Sequence, residues 1–443
     1  MGKPIVAVVR YEKPLASVRT AIDLCQGFDS LTASSRVFIK PNIVFWTRAA
    51  DFPKWGVITT SRVVEDMVVL LKEMGVDDIT IGEGTVLANP KDTETPRHAA
   101  AALGYDRLAQ RYGVTFVNVF ERPFEPVDLG DGIRLNFNSD ILGSDLVVNL
   151  PVMKTHNQTM VSLGIKNLKG VIDIASRKKC HSADPQRDLN FMISRLADRM
   201  PAMLTLIDGI YTNERGPSFD GKIRRSNILV ASRDVLGADL AGARVLGFDP
   251  AQVPHLARAA ANHGRPCDLS DTILRGESLE SVASPHQHDF LYTKDDDCEL
   301  PLPMARQGIK GLFYRKYDLS LCTYCSGLNG VILSAIRAAW KGKPWDKVEV
   351  LTGKGMRAAA GMHKTVLIGK CIYQANKDNP DIREMIAVKG CPPNPKHIVD
   401  ALHRAGIAVD ASIFDNMEQL PALFLGRYEG RPEFEAAHFR VDR

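Results

Sequence analysis

No apolar run in the 443 residues approaches the roughly 18–20 residues that cross a bilayer, so no membrane span is expected. Met1-Gly2-Lys3-Pro4 runs directly into Ile5-Val6-Ala7-Val8-Val9, without the basic, apolar and small-residue tripartite pattern of a signal peptide. These two absences lead to the expectation of a cytoplasmic protein. The net charge is only +4, which lacks the concentrated basic stripe of a general nucleic-acid binder. No Gly-x-Gly-x-x-Gly is present: after Gly82 and Gly84, position 87 is Leu. Lys364-Thr365 follows Gly361-Met362-His363, so the Walker loop is missing as well, and no Gly-x-Ser-x-Gly elbow occurs. Nicotinamide binding, P-loop hydrolysis and α/β-hydrolase chemistry lose their usual signatures.

What is present is globular. Hydrophobic residues make up 45% and charged residues 24%, and the length is enough for two or three cores. Over the first 280 residues strand-like and helix-like segments alternate. Val37-Phe38-Ile39, Asp78-Ile79-Thr80-Ile81, Leu146–Leu150, Leu204–Ile207 and Ile228–Val230 are short apolar strands. Ser61 starts a helix through Val63, Val64, Met67, Val68 and Leu71, and Val235–Leu246 forms another. This alternation predicts an α/β fold, mainly parallel in an N-terminal domain over 1–283. Residues 284–305, with Pro285, the run Asp295-Asp296-Asp297, Pro301 and Pro303, read as a linker. A smaller α/β domain over 306–443 follows, with strands at Val348–Leu351, Thr365–Ile368 and Met385–Val388 and a helix over Ile398–Ala405.

Four of the eight cysteines fall within residues 306–443. Cys322-x2-Cys325 is followed after 45 residues by Cys371 and after 19 more by Cys391. A C-x-x-C turn can chelate one cluster, and the two single cysteines come directly after predicted strands. Ligands at the carboxyl ends of parallel strands converge on one crevice. Cys391-Pro392 repeats the Cys-Pro step of cluster-binding runs. One [4Fe-4S] cluster on Cys322, Cys325, Cys371 and Cys391 is the expected cofactor. The alternatives are structural zinc, which more often uses two C-x-x-C knuckles, and buried thiols. The loop Gly390-Cys391-Pro392-Pro393-Asn394-Pro395 resembles the cluster-bearing loop in the small subunits of respiratory NADH:quinone oxidoreductase and nickel–iron hydrogenases, a likeness confined to this loop and the helix after it.

Polar residues gather at the strand ends of the N-terminal half. Lys40 and Asn42 follow one strand and Glu83 another, Lys154, Thr155 and His156 follow a third, and Asp208 ends a fourth. Lys166, Asn167 and Lys169 lie in the segment between, and His181 sits in a basic loop that could close over an anion. Clustered lysines at a sheet edge attract anions and depress one another's pKa, so one of them can serve as a proton acceptor. Lys154, His156, Lys166, Glu83 and Asp208 are therefore the candidate acid–base group. Lys40, Asn42, Asn167, Lys169 and His181 are the candidates for holding an anionic small-molecule substrate.

Lys40-Pro41-Asn42, Gly82-Glu83-Gly84, Lys154-Thr155-His156, Lys166-Asn167-Leu168-Lys169-Gly170, Ile207-Asp208-Gly209 and Glu214-x-Gly216-Pro217 come in the order of a known family. The stretch from about residue 4 to 250 resembles the domain of unknown function 362 family. That family is often joined to iron–sulfur modules, though familiar members carry two ferredoxin-type runs in place of this cysteine set. The resemblance implies no settled reaction. The expected function is an iron–sulfur oxidoreductase or redox-assisted metabolic enzyme, with the cluster relaying electrons from a redox partner protein. A non-catalytic electron carrier or redox sensor, or a non-redox enzyme with a structural cluster, is the alternative.

Overall fold

The computed structural model describes residues 2–86 and 92–442. The chain divides into two compact units that are not simply consecutive. The first comprises Met1–Arg177, Asn190–His288 and Pro421–Arg443, and the second comprises Lys178–Leu189 and Asp289–Leu420. Two departures from the sequence reading follow. Residues 289–305 are not a bare linker: Tyr292–Lys294 and Glu299–Pro301 are strands of the second unit's sheet. The last residues, from Pro421, belong to the first unit instead of the second.

The first unit is built on a ten-stranded sheet. Its main path runs Ile273–Gly276, Ile5–Arg10, Lys222–Ser232, Met203–Glu214, Leu146–Asn149, Val37–Lys40, Ile79–Glu83 and Thr115–Asn118. Pairing is parallel from Met203–Glu214 out to Thr115–Asn118 and antiparallel where Lys222–Ser232 meets both of its neighbours. All four residues of Val37–Lys40 and of Leu146–Asn149 are buried, as expected for strands covered on both faces. The helix Ser61–Glu73 buries Val63, Val64, Met67, Val68, Leu70 and Leu71 on one stripe.

The strand read as ending at Asp208 continues to Glu214, twelve buried residues with an irregularity between Gly209 and Tyr211. Lys154 and His156 likewise do not trail a strand. They lie on one of their own, Val152–His156, which pairs with Met160–Ser162 as a hairpin. Among the described residues no helix is long and apolar enough to cross a membrane.

The second unit carries a six-stranded sheet in the order Tyr292–Lys294, Glu299–Pro301, Leu312–Phe313, Val348–Leu351, Lys364–Ile368 and Met385–Val388. All pairs are parallel except the first. Its core packs Ile332, Ile336, Val350, Val366, Ile368, Ile386, Ile398 and Leu402 between strands and helices.

Candidate functional site

In the second unit, Lys364–Ile368 and Met385–Val388 end side by side, with Ile368 opposite Val388. Beyond these ends the backbone turns into Gly369-Lys370-Cys371 and Lys389-Gly390-Cys391. Cys371 is the second residue of the helix Lys370–Asn376, and Cys391 precedes the helix Pro395–Arg404. The third segment is the start of the helix Thr323–Ala339, where Cys322 is the N-cap and Cys325 stands in the first turn. One cavity is lined by all four cysteines together with Ser320, Gly353, Lys354, Gly369, Pro392 and Pro393. Gly369 has φ +116°, and a Cβ there would stand 3.7 Å from the Cys325 sulfur, so the cavity wall is formed by bare backbone at that point.

Cys322 and Cys325 are pushed in opposite directions. Cys322 is drawn down to about 5, first by the Cys325 thiol that donates to it and, against the effect of burial, by the amides of Cys325 and Tyr324 and the charge of Lys354. Cys325 is pushed up, first because it holds the shared proton, then by burial and by the proximity of Cys322, Cys391 and Cys371. Two cations face the group. Lys178 Nζ lies 3.7 Å from Cys391 Sγ, and Lys354 Nζ donates to the Lys178 carbonyl at 2.6 Å. Among the described residues no three His, Cys, Asp or Glu side chains are drawn together as the ligand set of a single ion.

In the first unit, neighbouring parallel strands end on polar residues because each strand's last side chain meets the next loop. Lys40 closes one strand and Glu83 the next, and they form an ion pair at 2.7 Å with side-chain exposures of 0% and 3%. Glu83 also accepts from the amides of Ile43 (2.9 Å) and Gly84 (2.8 Å). Lys40 donates to Pro41 O and Asn167 Oδ1, and Asn167 in turn donates to Asn149 Oδ1 at 2.9 Å. Gly170 covers the pair so closely that a Cβ would fall 2.4 Å from Glu83 Oε1 and 2.6 Å from Lys40 Nζ. Burial lowers the Lys40 pKa and the Glu83 charge opposes that shift.

Lys154 is also buried, and its ammonium donates to Asn42 Oδ1 and to Val57 O at 3.1 Å. Burial brings its pKa down to about 7; Glu83 opposes the shift and Lys40 adds to it. Lys166 is lowered well below the ordinary lysine value by burial, then by Lys169 and Lys154, and no acidic partner for it stands among the described residues. Lys40, Glu83, Asn42, Asn167, Lys154 and Lys166 thus share one electrostatic neighbourhood, with Lys169 at its edge.

Asp208, His156 and His181 have other attachments. Asp208 accepts from the Thr60 amide at 2.7 Å, at the start of the helix Ser61–Glu73, and from Ile210 N at 3.1 Å, which makes it an anchor inside a long strand. His156 Nδ1 accepts from Gln158 N within its own hairpin turn. His181 is buried in the second unit, with Nδ1 3.3 Å from the Leu319 carbonyl oxygen. Sequence reading missed Asp239. This buried carboxylate accepts from Gly164 N (2.6 Å) and Ile165 N (2.8 Å), fixing the turn that presents Lys166 and Asn167, and burial raises its pKa to about 7. The available signal was a single acid within the small and apolar run Val235–Val245.

A titration follows from Lys154. Between about pH 7 and its ordinary value of 10.5, the unfolded chain holds a proton on this amine that the folded chain does not. Folding stability therefore rises with pH across that window, and below pH 7 both states are protonated and the contribution is flat. Relative to Lys154→Met, the wild-type unfolding free energy should climb by up to about 1.4 kcal/mol per pH unit above neutrality. Urea melts between pH 6 and 9.5 measure this; parallel pH profiles for the two proteins would show that Lys154 keeps an ordinary pKa.

Comparison with known proteins gives three likenesses. Residues 37–244 match the family Domain of unknown function (DUF362). A thylakoid-associated protein of Synechocystis sp. is 28% identical over 247 residues, covering 55% of this chain and 73% of that protein. The lactate racemase apoprotein from Thermoanaerobacterium thermosaccharolyticum aligns over 92% of this chain and 94% of its own, at 13% identity and a TM-score of 0.36. The matched stretch, from Val37 to Arg244, carries the Lys40–Glu83 pair, Lys154, Lys166 and Asp239, so the lysine neighbourhood of the first unit lies wholly within the part of the chain that matches DUF362.

Proposed function

We propose that this chain is an iron–sulfur protein that holds one [4Fe-4S] cluster in its second unit and acts on an anionic small molecule in its first. The convergence of Cys322, Cys325, Cys371 and Cys391, from three separate segments, on one cavity carries the reading. The donor set is all thiol, the site begins a helix that favours thiolates, and bare backbone at Gly369 leaves room at its wall. One C-x-x-C turn with two single cysteines suits a cubane better than structural zinc, which more often uses two C-x-x-C knuckles. When bound, such a cluster supplies single-electron transfer. Lys354 and Lys178 would offset the negative charge of the thiolates.

In the first unit Lys154 is the residue fitted to move a proton, since a pKa near 7 leaves both forms populated at neutral pH. Lys166, beside Lys169 and Lys154, is fitted to meet a carboxylate or phosphate, whose charge would favour the protonated amine. Lys40 and Glu83 satisfy each other and hold the frame.

Protein purified without oxygen should be brown, absorb broadly near ~400 nm and contain roughly four irons per chain. Cys391→Ala should lose most of that iron. Colourless protein with stoichiometric zinc would overturn the cluster. A Lys154 midpoint unmoved by any carboxylate or phosphate would count against the anion site, because a bound anion favours the charged amine.

A further inference from the structure

Of the four thiols, Cys322 and Cys325 are partly covered, whereas Cys371 and Cys391 are exposed. The group they rim therefore has one edge at the protein surface. That edge is cationic. Lys370 is the residue before Cys371, Lys389 stands two residues before Cys391, and Lys396 lies in the first turn of the helix that follows; all three are exposed. None of the three has an acidic partner among the described residues. Lys389 is held over the Tyr373 ring at 4.2 Å, which fixes its position without neutralising it. The two acids in the sheet's strands are engaged elsewhere, Glu299 with Arg315 and Glu349 with the Thr365 hydroxyl, and Glu384 pairs with Lys364 at the opposite end of the strands. The start of the ten-residue helix Pro395–Arg404 adds its partial positive charge on the same side.

We propose that this lysine-lined edge is a docking face for a small acidic electron-carrier protein. The inference rests on the cluster proposed above and names the partner's chemistry. Charge complementarity selects the partner: a carrier with carboxylates around its own redox centre would be drawn to the three lysines and oriented with that centre toward Cys371 and Cys391. In the encounter the reduced carrier gives up one electron to the group held by the four thiolates and is itself oxidised; no bond forms or breaks and no proton moves.

The test uses the full-length, iron-loaded protein and a reduced plant-type [2Fe-2S] ferredoxin as an acidic carrier, with dithionite as a small-molecule control. For the wild type, the second-order rate with ferredoxin should fall about tenfold or more as salt rises from low ionic strength, because steering between exposed charges is screened. The triple variant Lys370→Glu, Lys389→Glu, Lys396→Glu should lose about tenfold at low salt and show a flattened or reversed salt dependence. Its iron content, visible spectrum and dithionite reduction should be unchanged. Calorimetric binding of oxidised ferredoxin should weaken in parallel. An iron-loaded triple variant with unchanged rate and salt slope would overturn the docking face alone. An iron-free wild-type protein would overturn the cluster, and the docking face with it.

Discussion

Removing either partner of the Lys40–Glu83 pair is expected to cost about 3–5 kcal/mol, enough to unfold the first unit or bring it close to unfolding. The pair is essentially without solvent, so a single substitution strands an uncompensated charge in the interior. Glu83→Gln keeps an oxygen for only one of the Ile43 and Gly84 amides, turns a donor toward the other, and loses the charge that Lys40 requires. Lys40→Met leaves the carboxylate with its amide donors alone. The double variant Lys40→Met/Glu83→Gln should cost less than the sum of the two, with a coupling of about 1–3 kcal/mol. Denaturant unfolding of all four proteins measures it. Additive losses of less than about 1 kcal/mol each would mean that water reaches the pair.

Phe434→Ala should cost about 3–5 kcal/mol. Phe434 packs against Trp55 at 5.5 Å and Tyr428 at 4.8 Å between ring centroids, and stacks on Tyr211 at 5.8 Å. The chain around it is tied down by polar contacts as well: Trp55 Nε1 donates to Glu435 O, and the Tyr428 hydroxyl accepts from Ile223 N. Deleting Pro421–Arg443 would remove all of these contacts at once, and the first unit should then fail to fold. A thermal unfolding midpoint within a degree or two of wild type for Phe434→Ala would show that the aromatic cluster closes up around the gap.

Much of this architecture is legible in residue order because short strands covered on both faces must be apolar throughout. Val37–Lys40 and Leu146–Asn149 announce themselves this way, whereas the edge strand Met385–Val388 is covered only at Ile386 and Val388. The cysteines are legible for a different reason: a thiol's chemistry is carried by the residue type, and spacing adds the turn. Met203–Glu214 was only half legible. Its second part contains Asp208, Thr212 and Asn213, polar residues that can be buried because Thr60, Ser226 and Ser218 supply partners from elsewhere. The role of the last segment was hidden for a related reason. Tyr428, Phe434 and Phe439 follow neither a helical nor a strand period, and Tyr428 and Phe434 meet partners roughly two hundred residues or more away in sequence. Of the lysines, sequence pattern located the group, and only packing separated Lys40, which is paired, from Lys154 and Lys166.

The interleaving of the two units has a consequence for synthesis. All segments of the second unit, up to Leu420, are synthesised before Pro421–Arg443 exists. At roughly 5–20 residues per second, the first unit's sheet waits on the order of ten seconds after His288 with the aromatic surface of Trp55 and Tyr211 uncovered. The half begun earliest is thus the last to have all of its segments synthesised.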